Sequence, residues 1–269
     1  MQEKVQLIED YEQIKDKLQI RVCETAINRD RIAGLVHSER SDFSATYHIV
    51  FDKEISFAVK PGMLKAWEIS KEQLHQDALT ADLNRIPVLE DVRLMLERVR
   101  LEKEPINLLQ KPDFIKELEG FRMYCLTNEE YDNGAGLIMQ DGLISQVADI
   151  LGSNYYIVPS SINELLIIPD SKEVELNILA SMVWEVNRIQ VAPEARLSDE
   201  VQYYDKDSRS LENAQKHAER IEMEKYEKET AKEMPRSIHD RLKDNKQNLK
   251  ISQKKMTANE VTKQKEFSI

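Results

Sequence analysis

Two adjacent serines, Ser160 and Ser161, lie between two apolar segments and come closest in this sequence to a catalytic arrangement. A serine nucleophile needs a base within hydrogen-bond reach and donors for the oxyanion. Residues 121–205 contain no histidine, so the base would be Glu164, with its pKa raised by burial, or a histidine from the first half of the chain. The serines also lie outside any Gly-x-Ser-x-Gly motif. We therefore predict that they form a hairpin turn after Pro159 and are not nucleophiles.

The stretch Gly134-Ala135-Gly136 could bring backbone N–H groups close to a ligand phosphate. However, the chain lacks both the Gly-x-Gly-x-x-Gly pattern and the Gly-Lys-Ser/Thr sequence of a P-loop. We therefore predict a loop that needs backbone freedom, and no cofactor.

The residue types that bind transition metals are scattered along the chain. Cys23 and Cys125 lie far apart, and the five histidines occur singly, without a pair at i,i+4 spacing. The acidic residues around Asp170 and Asp199 do not match a calcium-binding loop. We predict no metal site and two buried, reduced cysteines.

Two functions from different classes are compatible with these residues. The first is a non-catalytic interaction or accessory protein, because a complete catalytic set is missing. The second is a small-molecule-binding or hydrolytic enzyme that uses the Gly134 loop and the serine pair. The candidate binding residues are Asn128, Gly134, Ser160, Ser161, Glu164, Asn187 and Asp199.

Charge is distributed unevenly. The net formal charge is −11, yet residues 234–269 contain nine Lys or Arg against four Asp or Glu. Residues 121–205 contain four basic residues against fourteen acidic ones, which would repel a phosphate backbone. We expect nucleic acid, if it is a partner, only on the basic tail. No apolar segment is long enough to span a membrane, and residues 1–10 carry acidic side chains where a signal peptide is basic, so we predict a cytoplasmic protein.

The first half of the chain is predicted to contain helices and one short hairpin. Apolar residues recur every three or four positions over residues 3–28, which predicts a helix. Residues 46–51 and 55–59 predict two strands of a hairpin. A capping box of sequence Ser-Lys-Glu-Gln predicts a helix over 71–82, and another helix is predicted over 89–102, between two prolines.

The second half alternates strands and helices. Strands are predicted over 121–126, 155–158, 164–168 and 201–204, and helices over 143–151 and 176–186. This β-α-β-β-α-β order predicts a ferredoxin-like, split βαβ unit within an α+β protein. We expect no RNA-recognition sheet, because the predicted central strand 164–168 carries no aromatic side chain.

Three regions follow from this organisation. Residues 1–105 form an N-terminal α+β region of helices with a short hairpin, and residues 106–206 form the split βαβ domain. We predict that residues 207–269 form a charged tail that passes from helix to disorder, because it has too little apolar area to offset its ordering entropy.

Three segments carry a family resemblance: "YCLTNEEYDNGAGLI", "LGSNYYIVPSSINELLIIP" and "MVWEVNRIQVAPEARLSDEVQYYD". They resemble the C-terminal portion of a family of uncharacterised proteins, a domain of unknown function, from clostridial-type gut bacteria. The likeness covers residues 10–205 and implies no activity. The tail sequence "PRSIHDRLKDNKQ" is similar to basic tails in proteins of integrative and conjugative elements. The leading expectation is therefore an accessory protein, of a bacterial mobile element, whose tail engages a protein partner.

Overall fold

The computed structural model describes residues 7–52, 54–101, 104–159, 161–171, 174–189 and 191–233. The chain divides into two compact units, Met1–Ala218 and Glu219–Ile269. All described strands belong to the first unit and form two antiparallel sheets. The described residues mix helix and sheet, which confirms the predicted α+β class.

The first sheet is built on one long strand, β3 (Phe43–Val50). β1 (Leu18–Glu24) pairs with β3 from residue 43 to residue 49. β2 (His37–Arg40) pairs with the first half of β3, and β4 (Ser56–Ala58) pairs with its second half. The pairing of β3 with β4 confirms the hairpin that the sequence predicts in this region.

The helix predicted over residues 3–28 is wrong between residues 18 and 24, which form β1. Leu18, Ile20 and Val22 alternate with polar residues, and this period of two places all three apolar side chains on the buried face. Two short helices, α1 (Tyr11–Ile14) and α2 (Thr25–Ile32), flank the strand and continue its apolar pattern. Residues 3–6 lie outside the described residues.

Three helices follow the first sheet, and two of them begin at residues that favour a helix N-terminus. α3 (Pro61–Trp67) has a proline in its first turn. α4 (Lys71–Leu83) begins after Ser70, whose Oγ accepts a hydrogen bond from the Gln73 N–H at 3.1 Å, as predicted. α5 (Val92–Leu101) begins later than predicted, because residues 89–91 belong to a strand of the second sheet.

The second sheet has six strands, and three further helices lie between or after these strands in the sequence. Its strands are β5 (Pro87–Asp91), β6 (Tyr124–Asn128), β7 (Tyr155–Val158), β8 (Leu165–Pro169), β9 (Gln202–Asp205) and β10 (Ser210–Asn213). The helices are α6 (Asp141–Leu151), α7 (Leu176–Ile189) and α8 (Ala214–Glu233). In space the strands run β10-β9-β7-β8-β6-β5. β10 lies within the segment predicted as a tail, so the sheet extends past residue 206.

The strand order does not confirm the ferredoxin-like arrangement. In that fold the last strand of the β-α-β-β-α-β series pairs with the first. Here the last strand, β9, pairs with β7, and the first strand, β6, has β5 on its outer side. β5 therefore occupies the position that the last strand would need, so the chain has the predicted order of elements without the ferredoxin-like sheet.

One hydrophobic core joins the two sheets. Ile20 and Tyr47 of the first sheet and Leu126 and Tyr155 of the second are fully buried members of it. The predicted regions 1–105 and 106–206 therefore contribute to a shared core. Within the described part of the chain, no helix has both the length and the apolar character needed to cross a membrane.

A side chain closes the outer edge of β5. Asn107 Oδ1 accepts a hydrogen bond from the Leu89 N–H at 3.1 Å, and Asn107 Nδ2 donates to the Pro87 carbonyl oxygen at 2.9 Å. The Leu108 N–H donates to the Leu89 carbonyl oxygen at 2.8 Å. The outward backbone groups of Pro87 and Leu89 on this edge strand therefore have partners within the chain.

Candidate functional site

The Gly134 loop folds into a buried 3-10 helix, Gly134–Met139. A Cβ at Gly134 would lie 2.4 Å from both the Asn163 carbonyl oxygen and Thr127 Oγ1. The Thr127 hydroxyl donates to that carbonyl oxygen at 2.7 Å, so the loop packs directly on the β7–β8 turn. Glycine is therefore required here by close backbone packing within the protein.

Ser161 is buried in the β7–β8 turn. Its Oγ accepts a hydrogen bond from the Asn163 N–H at 3.0 Å, and it also bonds the Glu164 carboxyl. Burial raises the pKa of Glu164, while the hydrogen bond with Ser161 opposes that rise. Among the described residues no histidine, lysine or arginine side chain bonds the Ser161 hydroxyl, and Ser160 lies outside those residues. The contacts of Ser161 are those of a residue that closes a turn.

Asn128 holds the loop that follows β6. Its Nδ2 donates to the Asp132 carbonyl oxygen at 2.8 Å, and its Oδ1 accepts from the Asp132 N–H at 3.2 Å. This reciprocal pair fixes the backbone that leads into Gly134. Asn128, Gly134, Ser161 and Glu164 thus lie in one neighbourhood, where the first three contact the backbone of nearby turns.

Asn187 and Asp199 form a second group. The Asn187 amide is buried and donates to the Ser198 carbonyl oxygen at 3.0 Å and to Asp199 Oδ1 at 2.7 Å. Backbone bonds connect the β7–β8 turn to the segment before β9, since Ser198 N–H donates to Pro159 O at 3.0 Å. Binding of a ligand by these predicted residues stays a prediction.

The two cysteines are buried and free, as predicted. Burial raises the pKa of Cys125 to about 12, with Glu164 and Glu90 contributing, so its thiol stays protonated at neutral pH. Within the described ranges, no group of three His, Cys, Asp or Glu side chains could hold a metal ion.

A cavity of about 650 Å³, here called the arginine pocket, lies beside the predicted residues. Its floor is the polar face of β1 and β3, where Arg21 is the register partner of Thr46. α2 forms one wall, and the loops around Asn133, Ile162 and Arg196 form another. The side chains that define the pocket are Arg21, Cys23, Arg31, Thr46, His48, Asp132, Asn133, Ile162, Glu194 and Arg196.

Hydrogen bonds order the floor of the arginine pocket. Thr46 Oγ1 donates to the Arg21 carbonyl oxygen at 3.1 Å and lies 3.1 Å from His48 Nε2. Because that hydroxyl proton is used, Thr46 accepts from His48 Nε2–H, and Nδ1 is left as an acceptor. Burial, with smaller contributions from Arg21 and Arg31, lowers the pKa of His48 to about 4, so the imidazole is neutral at pH 7.

Sequence reasoning missed this pocket because its floor lies on β1, a strand predicted as helix. The sequence signal that could have revealed the strand is the alternation of apolar with polar or small residues. Gln19, Arg21 and Cys23 are the polar or small residues that alternate with the apolar residues of β1. Ser44, Thr46 and His48 repeat the pattern on β3 and lie opposite them in register.

The outward face of α7 is a second feature, here called the α7 surface. Ile178, Met182, Trp184 and Ile189 are between 52% and 72% exposed. The Arg188 guanidinium lies 4.6 Å from the centre of the Trp184 ring, which is cation–π distance. The opposite face of the helix, with Leu179 and Val183, packs on the second sheet.

Together, the fold and these features define an α+β protein with a polar pocket and an exposed apolar helix face. The chain belongs to a family of unknown function, DUF5688, whose model matches residues 1–206. This confirms the predicted resemblance to a family of uncharacterised proteins. No curated protein and no solved structure matches the chain.

Proposed function

We propose that the protein is a non-catalytic interaction protein and that its α7 surface docks a protein partner. The observation that carries this proposal is the exposure of Ile178, Met182, Trp184 and Ile189 on a single helix. Several large apolar side chains exposed on one helix indicate an interaction site more strongly than a single exposed apolar residue does. Tryptophan and arginine, here stacked as Trp184 and Arg188, are the residue types enriched at binding hot spots.

The charge of the segment that contains α7 specifies the partner. Residues 121–205 carry fourteen acidic side chains against four basic ones. A partner with acidic residues beside its apolar anchors would be repelled, while lysine or arginine in those positions would be attracted. The proposed partner is an amphipathic helix with leucine-like anchors on one face and basic side chains on both sides of them.

The cellular setting of this interaction is part of the same proposal. We place the protein in the cytoplasm as an accessory protein of a bacterial mobile element. The basic segment 234–269 supports this setting with nine Lys or Arg against four Asp or Glu, since a basic tail can contact nucleic acid.

A designed peptide tests the docking surface. The probe is a fluorescein-labelled helix of leucine and lysine at amphipathic spacing, titrated into the full chain and followed by fluorescence anisotropy. We expect saturable binding that Met182→Asp and Ile189→Asp each weaken at least about tenfold, because each places a charge in the apolar contact. Leu96→Asp on α5 is the matched control, since Leu96 is equally exposed but lies on another helix.

Thermal melting verifies that the exposed-site variants fold. Equal peptide affinity for the wild type, Met182→Asp and Ile189→Asp would overturn the proposal. Tighter binding of a leucine–glutamate peptide than of the leucine–lysine peptide would overturn the assigned partner chemistry.

A further inference from the structure

We propose that the arginine pocket binds a small organic molecule that carries a phosphate group. This site is separate from the α7 surface, and the inference does not depend on the proposed protein partner. Two observations support it: several arginine side chains line the pocket, and among the described residues Arg21 and Arg31 form no ion pair with a carboxylate.

The pocket concentrates positive charge in an acidic protein. Among the described residues that line it, Arg21, Arg31 and Arg196 face two carboxylates, Asp132 and Glu194. The whole chain has a net charge of −11, so the excess of positive charge in the pocket is opposite in sign to the charge of the protein as a whole. A concave site lined by one excess charge raises the local concentration of the opposite ion.

Asp132 does not neutralise the arginines by direct contact. Its two carboxylate oxygens accept hydrogen bonds from Gln19 Nε2 at 3.0 Å and from Asn133 Nδ2 at 2.9 Å. In the described part of the chain neither Arg21 nor Arg31 forms an ion pair within 4.0 Å. The protein therefore holds the nearest carboxylate in place without pairing it to either guanidinium.

Arg21 is the key donor because it is partly buried and has spare hydrogen-bonding capacity. Its Nε donates to Gln19 Oε1 at 2.9 Å, which orients the guanidinium plane. Burial lowers the pKa of Arg21, which shows that its charge is partly desolvated. A partly buried cation without a carboxylate partner is costly, and a bound anion would remove that cost. The planar guanidinium matches phosphate oxygens in a bidentate geometry.

The rest of the pocket suits an organic ligand rather than a bare ion. Its volume of about 650 Å³ falls within the range for small-molecule sites. Ile32, Leu35 and Ile162 supply apolar walls, while Asn28 and Asn133 supply amides. Phosphate at the arginines therefore leaves room for a body of sugar or similar size against the opposite wall.

His48 provides a direct readout of occupancy. The neighbouring arginines contribute to the low pKa of its imidazole, about 4, after burial as the main cause. A bound anion would offset the charge of those arginines, so we expect the pKa of His48 to rise towards its ordinary value on binding.

The experiment uses the full chain at constant ionic strength, with glucose 6-phosphate, inorganic phosphate, citrate and chloride as probes. Calorimetry measures affinity, and NMR of the histidine side chains measures the His48 titration. We expect glucose 6-phosphate to bind saturably, at least about tenfold tighter than citrate, and to raise the pKa of His48. Inorganic phosphate is expected to bind more weakly than the sugar phosphate.

Two variants and one control complete the test. Arg21→Gln and Arg31→Gln should each weaken glucose 6-phosphate binding at least about tenfold. Arg31 is exposed, so its replacement keeps the test valid even if Arg21→Gln fails to fold. Arg29→Gln, on the same helix but outside the pocket lining, should leave affinity unchanged. Absence of saturable phosphate binding, equal affinity for citrate, or full affinity in Arg31→Gln would overturn the proposal.

Discussion

The Asp82 carboxylate, at the end of α4, accepts the backbone N–H of Ile20 in the middle of β1 at 3.2 Å. Arg85 completes the contact, because it forms an ion pair with Asp82 and donates from Nη2 to the Leu18 carbonyl oxygen at 3.2 Å. A helix side chain and its ion-pair partner thus bond the edge of β1 that faces away from β3. This contact fixes the strand that carries Arg21.

Replacement of Asp82 by alanine should therefore be strongly destabilising. The change leaves the buried Ile20 N–H without its acceptor and removes one of the two carboxylates that Arg85 pairs with, the other being Glu130 at 3.6 Å, so we expect a loss of about 2 kcal/mol or more. Urea denaturation of Asp82→Ala measures the loss. Asp113→Ala, which breaks the exposed ion pair with Lys116, is the control and should scarcely change stability. Equal stability of the two variants would contradict a structural role for Asp82.

His48 should impose a pH dependence on stability. Burial, Arg21 and Arg31 lower its pKa from 6.5 to about 4 in the folded protein. A base with a lowered folded pKa contributes stability that is present above pH 6.5 and is lost as pH falls through 4. His48→Gln, compared with the wild type by urea denaturation across this window, should remove that part of the acid sensitivity. Parallel pH profiles for the two proteins would show that His48 is not desolvated.

Replacement by alanine should lower the stability of the protein at one glycine and raise it at another. Gly134→Ala places a Cβ at 2.4 Å from two oxygen atoms, so the loop must shift, at a cost of about 2 kcal/mol. Gly142→Ala in α6 meets nothing within 4 Å and should stabilise the helix by about 0.5 kcal/mol. Thermal melts of the two variants measure this difference. A Gly134→Ala protein as stable as the wild type would argue against close packing of the loop.

Ser161 should behave as a turn residue and not as a nucleophile. Ser161→Ala removes the acceptor of the Asn163 N–H, so we expect a stability loss of about 1 kcal/mol. A fluorophosphonate probe should leave Ser161 unmodified in the folded protein, as judged by mass spectrometry. Labelling of Ser161 in folded but not denatured protein would support the hydrolytic alternative instead.

Local signals were sufficient for several elements of the fold. The Ser70 cap correctly marks the start of α4, although the Gln73 side chain bonds Asp77 and does not complete the predicted capping box. Gly152, with a φ of +75°, ends α6 where predicted. These elements depend on hydrogen bonds between residues close in sequence. β1 could not be identified in the same way, because its apolar residues fit both a period of two and the longer helical spacing of its neighbours.

Sheet order and the arginine pocket depend on contacts between distant residues. Nothing in the local sequence of β9 specifies that it pairs with β7 and not with β6, since both partners are apolar strands. The pocket depends on the register that sets Arg21 opposite Thr46 and on the approach of Arg196 from the second half of the chain. Of the predicted residues, Ser161 and Gly134 each lie one position from a residue of the pocket wall.

Asn107 has a consequence for the behaviour of the protein at high concentration. An uncovered strand at the end of a sheet can recruit a strand from another molecule, and growth of such assemblies leads to aggregation. The Asn107 side-chain amide bonds the backbone of Pro87 and Leu89, and it therefore blocks the pairing of another strand with that edge of the sheet. This contact thus affects how the protein behaves in concentrated solution, whether or not a ligand is bound.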